Sequence, residues 1–128
     1  MNPNCYTLPG TYYEGKTLTL QFTIRDADGL TPLTNADAVL TGMTLTLFDR
    51  MTHQIINSRN VQDVKGANGG SIVGAVMTQR LDAADLHRVS TDRKFNTVVA
   101  RFEWWWGTPR IDAGYEIEIV VEQLDPVV

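Results

Sequence analysis

The segment Thr17-Leu18-Thr19-Leu20-Gln21-Phe22-Thr23-Ile24-Arg25 decides the fold class. Leu18, Leu20, Phe22 and Ile24 take every second position, and Thr17, Thr19, Gln21, Thr23 and Arg25 fill the positions between them. Successive side chains of an extended strand point to opposite faces. The period-two pattern therefore predicts a strand with one buried and one wet face. It runs into Asp26-Ala27-Asp28-Gly29, a turn in which Gly29 takes positive φ without steric cost and the aspartate carboxylates accept from nearby backbone N–H groups.

The same pattern recurs outward from this segment. Residues 30–42, rich in Thr, Pro, Asn, Asp and Gly, read as a connection. Met43, Leu45 and Leu47 alternate with Thr44 and Thr46 in a strand from Met43 to Phe48. Another strand is expected around Gln54-Ile55-Ile56-Asn57, and Gly66-Ala67-Asn68-Gly69-Gly70 marks a turn. Ser71 to Thr78 reads as one strand built on Ile72, Val73, Val76 and Met77. The pattern then breaks at Leu81-Asp82-Ala83-Ala84-Asp85-Leu86, which predicts a short helical turn near 82–88 with Asp82 as N-cap and Leu81 and Leu86 on the core. Phe95 to Trp106 and Tyr115 to Glu122 are the last two strands, joined through a Gly107–Gly114 hairpin connection. Regular strands and at most one short helix predict an all-β protein, an antiparallel immunoglobulin-like β-sandwich of about six to eight strands. A small jelly roll or barrel is the competing topology. Residues 1–128 read as a single domain, with 1–12 and 123–128 as extended termini.

Composition agrees. Thr, Val and Ile number 34 of 128 residues, a β-rich usage. A single cysteine, Cys5, excludes an internal disulfide, so the core alone must hold the fold. Eleven basic against 15 acidic residues give a net charge of -4, which argues against an electrostatic nucleic-acid binder. Met1-Asn2-Pro3-Asn4 lacks the basic and apolar regions of a secretory signal, and no apolar run approaches membrane-spanning length. Synthesis in the cytoplasm is expected, with no membrane partner.

The chain is quiet in chemistry. His53 and His87 fall in no zinc-ligand spacing. Asp26-x-Asp28-Gly29 begins like a calcium loop, but Leu30 and Asp37 stand where further ligands, including the twelfth-position Glu, are needed. Gly66 to Gly70 lacks the lysine and following helix of a phosphate loop, and no Gly-x-Ser-x-Gly elbow occurs. Glu116, Glu118 and Glu122 share one strand face opposite Ile117 and Ile119, which reads as a solvated face, or as an outer face met by arginines of a neighbour. No catalytic, metal or cofactor site is expected.

Trp104-Trp105-Trp106 is the unusual local feature. On a strand, Trp104 and Trp106 share a face with Phe102, and Trp105 shares the other with Arg101 and Glu103. Only one face can be core, so at least one tryptophan stands outside it. Such a tryptophan either lies under a loop or forms a contact surface for protein or for sugar.

The order of motifs carries a resemblance. A hydrophobic strand leads into Asp28-Gly29, Leu40-Thr41-Gly42 leads into the second strand, and Leu81-Asp82-Ala83-Ala84-Asp85-Leu86 precedes the final strand pair. This resembles the immunoglobulin-like modules of tailed-bacteriophage structural proteins, the N-terminal domain of the phage baseplate upper protein family among them. It spans about residues 13 to 122, and neither the tryptophan triplet nor the tail belongs to it. The resemblance implies a non-enzymatic virion protein, an adaptor or decoration module docking on capsid, neck, tail or baseplate proteins and on copies of itself. Tyr12, Tyr13, Trp104, Trp105, Trp106, Leu124, Val127 and Val128 are the expected partner-binding residues. The alternative is a carbohydrate-binding module for cell-surface adhesion, which requires a row of coplanar exposed aromatics such as Tyr12, Tyr13 and Trp105.

Overall fold

A computed structural model describes residues 5–88 and 95–122. Its elements are β1 (Cys5–Thr7), β2 (Tyr12–Tyr13), β3 (Leu18–Thr23), α1 (Ala36–Val39), β4 (Gly42–Asp49), β5 (Gln62–Asp63), β6 (Gly70–Val73), β7 (Val76–Leu81), a 3-10 turn (Ala83–Asp85), β8 (Phe95–Trp106) and β9 (Ile111–Glu122). They form two sheets. The larger runs β1-β9-β8-β4-β5, with β2 also on β9, and the smaller runs β3-β7-β6. This is an all-β sandwich with the strand order of an immunoglobulin domain. β3, β7 and β6 stand where strands B, E and D do, β4, β8 and β9 where C, F and G do, and β5 extends the second sheet beyond β4 as in variable-type domains.

Alternation builds the core. The smaller sheet turns Leu20, Phe22, Met77 and Leu81 inward, and the larger turns Met43, Leu45, Leu47, Val98, Ala100, Phe102, Trp104, Ile117 and Ile119 toward them. Phe22 joins the two layers. Its ring lies 4.8 Å from that of Phe102, 5.3 Å from Tyr115 and 5.8 Å from Trp104. The Asp26–Gly29 turn has the chemistry expected of it: Gly29 takes φ 72, and the Asp28 carboxylate accepts from the N–H groups of Leu30 and Thr31 and from the Thr31 hydroxyl.

Several elements differ from the periodic reading. The N-terminal stretch contributes β1 and β2, which pair with β9 in parallel, so the larger sheet is mixed. The strand expected at Gln54–Asn57 shrinks to a single bridge between Ile55 and Phe48. Asn57 and Ser58 both adopt left-handed φ, which no strand continues; the Arg59 carbonyl then accepts from the Leu47 N–H at 2.8 Å, and ladder pairing resumes at β5. Ser71–Thr78 is a hairpin, not one strand. It turns at Gly74 and Ala75, with Gly74 supplying positive φ at the first loop position. The 30–42 connection holds a second short helix, α1.

The 3-10 turn anchors one end of the sandwich. Asp85 is fully buried and Arg59 is 5% exposed. The Arg59 guanidinium donates to both carboxylate oxygens, Nε at 2.7 Å and Nη2 at 3.0 Å. Asn57 Nδ2 and the Asp82 N–H donate to the same carboxylate, and Arg59 Nη1 reaches Gln62 Oε1 and the Asn68 carbonyl. The network ties the irregular 57–62 chain and the glycine-rich turn to the turn after β7.

Candidate contact surface

The outer face of the larger sheet carries the side chains that β8 and β9 do not turn inward. Cross-strand register orders them in rows. Gly42 stands beside Trp105 and Asp112, Thr46 beside Arg101 and Glu116, and Phe48 beside Val99 and Glu118. Phe95, Glu122 and Tyr13 form the row at the far end.

The tryptophan triplet splits as strand geometry demands. Trp104 is 2% exposed, packs on Phe22 and donates from Nε1 to the Arg25 carbonyl at 3.1 Å. Trp106 is 8% exposed and belongs to the same core. Both were expected at a contact surface, and that expectation is corrected: inward-facing positions on β8 bury them. Trp105 alone lies on the outer face, half-buried. Its indole covers Gly42 so closely that a Cβ on that glycine would sit 2.4 Å from the ring. The Arg110 guanidinium stacks over the ring at 4.6 Å from its centroid, held by a bond from Nε to Asp112 Oδ1 at 2.8 Å. A glycine below and an arginine above thus fix a flat aromatic at the end of the sheet.

Tyr12 is half-buried against the core, and its hydroxyl donates to the Pro9 carbonyl at 3.2 Å. Tyr13 is exposed, 45%, beside Glu122. Trp105 pairs with Asp112, so ten residues of β9, about 33 Å, separate it from Tyr13. The aromatics do not form one coplanar row. Leu124, Val127 and Val128 lie outside the described residues.

The acidic face expected on β9 is present, and its arginine partners belong to the same chain. Arg101 Nε bonds Glu116 Oε2 at 2.6 Å, and Arg50 pairs with Glu118. Arg101 also stacks over Phe48, whose ring meets His53 edge-on. Cys5 sits at the margin of this face. Partial burial first, then the Glu118 and Glu116 charges, push its thiol pKa above the ordinary value. Among the described residues no three of His, Cys, Asp and Glu gather to hold a metal ion, and no helix is long and apolar enough to cross a membrane.

Sequence reading missed Arg110 and Gly42 as parts of the Trp105 site. A signal existed for the first: Arg110 follows Trp105 by five residues across a short loop, which returns it to the neighbouring strand. It also missed the partners Arg50 and Arg101, which only the strand register brings beside Glu118 and Glu116. Comparison with family models, with curated proteins and with solved structures finds no match to this chain.

Proposed function

We propose that this protein is a non-enzymatic structural component of a tailed-bacteriophage virion, an immunoglobulin-like adaptor or decoration module that docks on other virion proteins. The virion setting rests on the motif resemblance. The docking role rests on one observation: Trp105 is held flat on the outer face of the larger sheet between Gly42 and Arg110. Tryptophan and arginine are the residue types most enriched among interface anchors, and a preordered aromatic loses little conformational entropy on binding. Along the same face Glu116 and Glu118 are already neutralised by Arg101 and Arg50, and Asp112 by Arg110, so a partner need not supply cations opposite those three carboxylates.

The test is occupancy in the assembled particle. Trp105→Ala lowers the number of copies that copurify with the particle, as counted by microscopy. If Trp105→Ala and deletion of residues 124–128 both leave assembly and occupancy unchanged, the contact assignment is wrong. The separation of Tyr13 from Trp105 gives no support to a sugar platform, and millimolar glycan is expected not to shift Trp105 fluorescence.

A further inference from the structure

The smaller sheet ends on a long open edge. β3 pairs with β7 on one side only, and among the described residues nothing pairs with its other side. The Ile24 N–H donates toward β7, to the Ala75 carbonyl. Backbone groups alternate in direction along an antiparallel strand, so Thr19, Gln21 and Thr23 aim their N–H and C=O groups outward. Proteins usually blunt such edges with charge, proline, bulges or brevity. The larger sheet does so: β1 and β2 are three and two residues long with Pro9 between them, and β5 has two residues. Leu18–Thr23 has six residues, no charge and no proline. A groove of about 320 Å³ runs beside it, floored by Phe22, Tyr115 and Ile117 and flanked by Tyr6 and Leu8.

We infer that β3 pairs with β3 of a second copy of this chain, antiparallel and centred on Gln21. The strand is complementary to itself in that register. Gln21 stands opposite Gln21 and Thr19 opposite Thr23, so all outward backbone groups of the three residues find partners. The wet-face side chains form neutral cross-strand pairs. Leu20 meets Phe22 and Leu18 meets Ile24 on the core side. Just beyond, Lys16 meets Asp26, opposite charges for which no ion pair within the chain occurs among the described residues. Neighbouring registers lack this match. A shift of two residues one way sets Glu14 against Asp26, and a shift the other way sets Asp26 against Leu18. An odd shift turns the outward backbone groups of one strand against inward ones of the other. The pairing is isologous and closes after two copies because it consumes the edge of each. It also brings the exposed Tyr6 side of each groove toward its symmetry mate. The inference rests on the β3 edge and not on the Trp105 surface.

The experiment is sedimentation equilibrium of the full chain over a concentration series into the millimolar range. Gln21 is exposed, and among the described residues its side chain bonds only Thr78 Oγ1, at 3.3 Å, so Gln21→Lys keeps the fold, as circular dichroism would verify. It places two ammonium groups across the dyad and weakens the dimer about tenfold or more. Asp26→Lys weakens it by opposing Lys16, and Lys16→Asp combined with Asp26→Lys restores it. Trp105→Ala leaves it unchanged, which separates this test from that of the docking surface. A wild-type chain that stays monomeric, or a dimer indifferent to Gln21→Lys, overturns the inference. A double charge swap that fails to restore association overturns the register.

Discussion

Two positions show how single side chains acquire fixed roles. At Gly42 the missing Cβ is what lets the Trp105 indole lie on the sheet, since an added methyl would overlap the ring at 2.4 Å. The clashing atoms belong to the far end of a side chain that can swing outward, so Gly42→Ala displaces the indole without breaking β4. Stability falls by about 1 kcal/mol, the scale of an exposed cation–π contact with Arg110. Trp104 and Trp106 are buried, so Trp105 dominates the iodide-quenchable emission, and Gly42→Ala raises that fraction and shifts its emission to the red. At Asp28 the Thr31 hydroxyl, followed by the Thr31 and Leu30 N–H groups, lowers the carboxyl pKa from 3.8 to about 2. The folded value is the lower one. The carboxylate therefore stabilises the turn above the unfolded value of 3.8, and that contribution is lost as pH falls through about 2. Carbon-detected NMR titration is expected to find the Asp28 midpoint near 2, and Asp28→Asn should remove its share of the acid-limb slope.

At the level of elements, the irregular 57–62 chain is held by charge. Asp85 receives Arg59 in a two-point bond, with Asn57 and the Asp82 N–H on the same carboxylate. Removing one partner strands the other without solvent, so Asp85→Ala is expected to cost about 3–5 kcal/mol in urea unfolding. Replacing Arg59 and Asp85 together by apolar residues of similar volume should recover much of that loss, and the double-mutant cycle measures the coupling. This cluster also marks where sequence reading stops. The strands Leu18–Thr23 and Phe95–Trp106 were legible because their burial is largely one-sided and period two reports it directly, and Gly42–Asp49 was legible because Thr44 and Thr46 still alternate with Met43, Leu45 and Leu47 although both of its faces are covered. Asp82 was legible as a cap because its role is local. Its partner Asp85 reaches a guanidinium 26 residues away, and no local pattern encodes that distance. The two breaks in the strand reading have the same origin. Ile55 and Ile56 are apolar enough for a strand, but left-handed Asn57 and Ser58 end it, and the alternation from Ser71 to Thr78 carries across a turn that Gly74 makes possible. Of the contact surface, the split of the tryptophan triplet was readable from strand geometry, whereas the arginine above Trp105 and the glycine beneath it depend on cross-strand register.

For the whole molecule, the question is what makes two thin sheets one cooperative unit. The smaller sheet has three strands and supplies one aromatic ring to the interior, Phe22. That ring touches Phe102 and Trp104 on β8 and Tyr115 on β9, the two longest strands of the opposite layer. It carries much of the coupling between the layers, because the other inward side chains of β3 and β7, Leu20, Met77, Gln79 and Leu81, are smaller and none is aromatic. Phe22→Ala empties the centre of the sandwich and is expected to cost about 3–5 kcal/mol, the range for truncating a core aromatic. If the layers unfold together, the denaturant midpoint falls while the slope stays at its wild-type value, since the surface exposed on unfolding is unchanged. Tryptophan emission, which reports β8, and amide exchange on β3 and β7 then move to the same new midpoint. Exchange on β3 and β7 that runs ahead of the emission change would mean that the smaller sheet melts on its own and that Phe22 is not the joint.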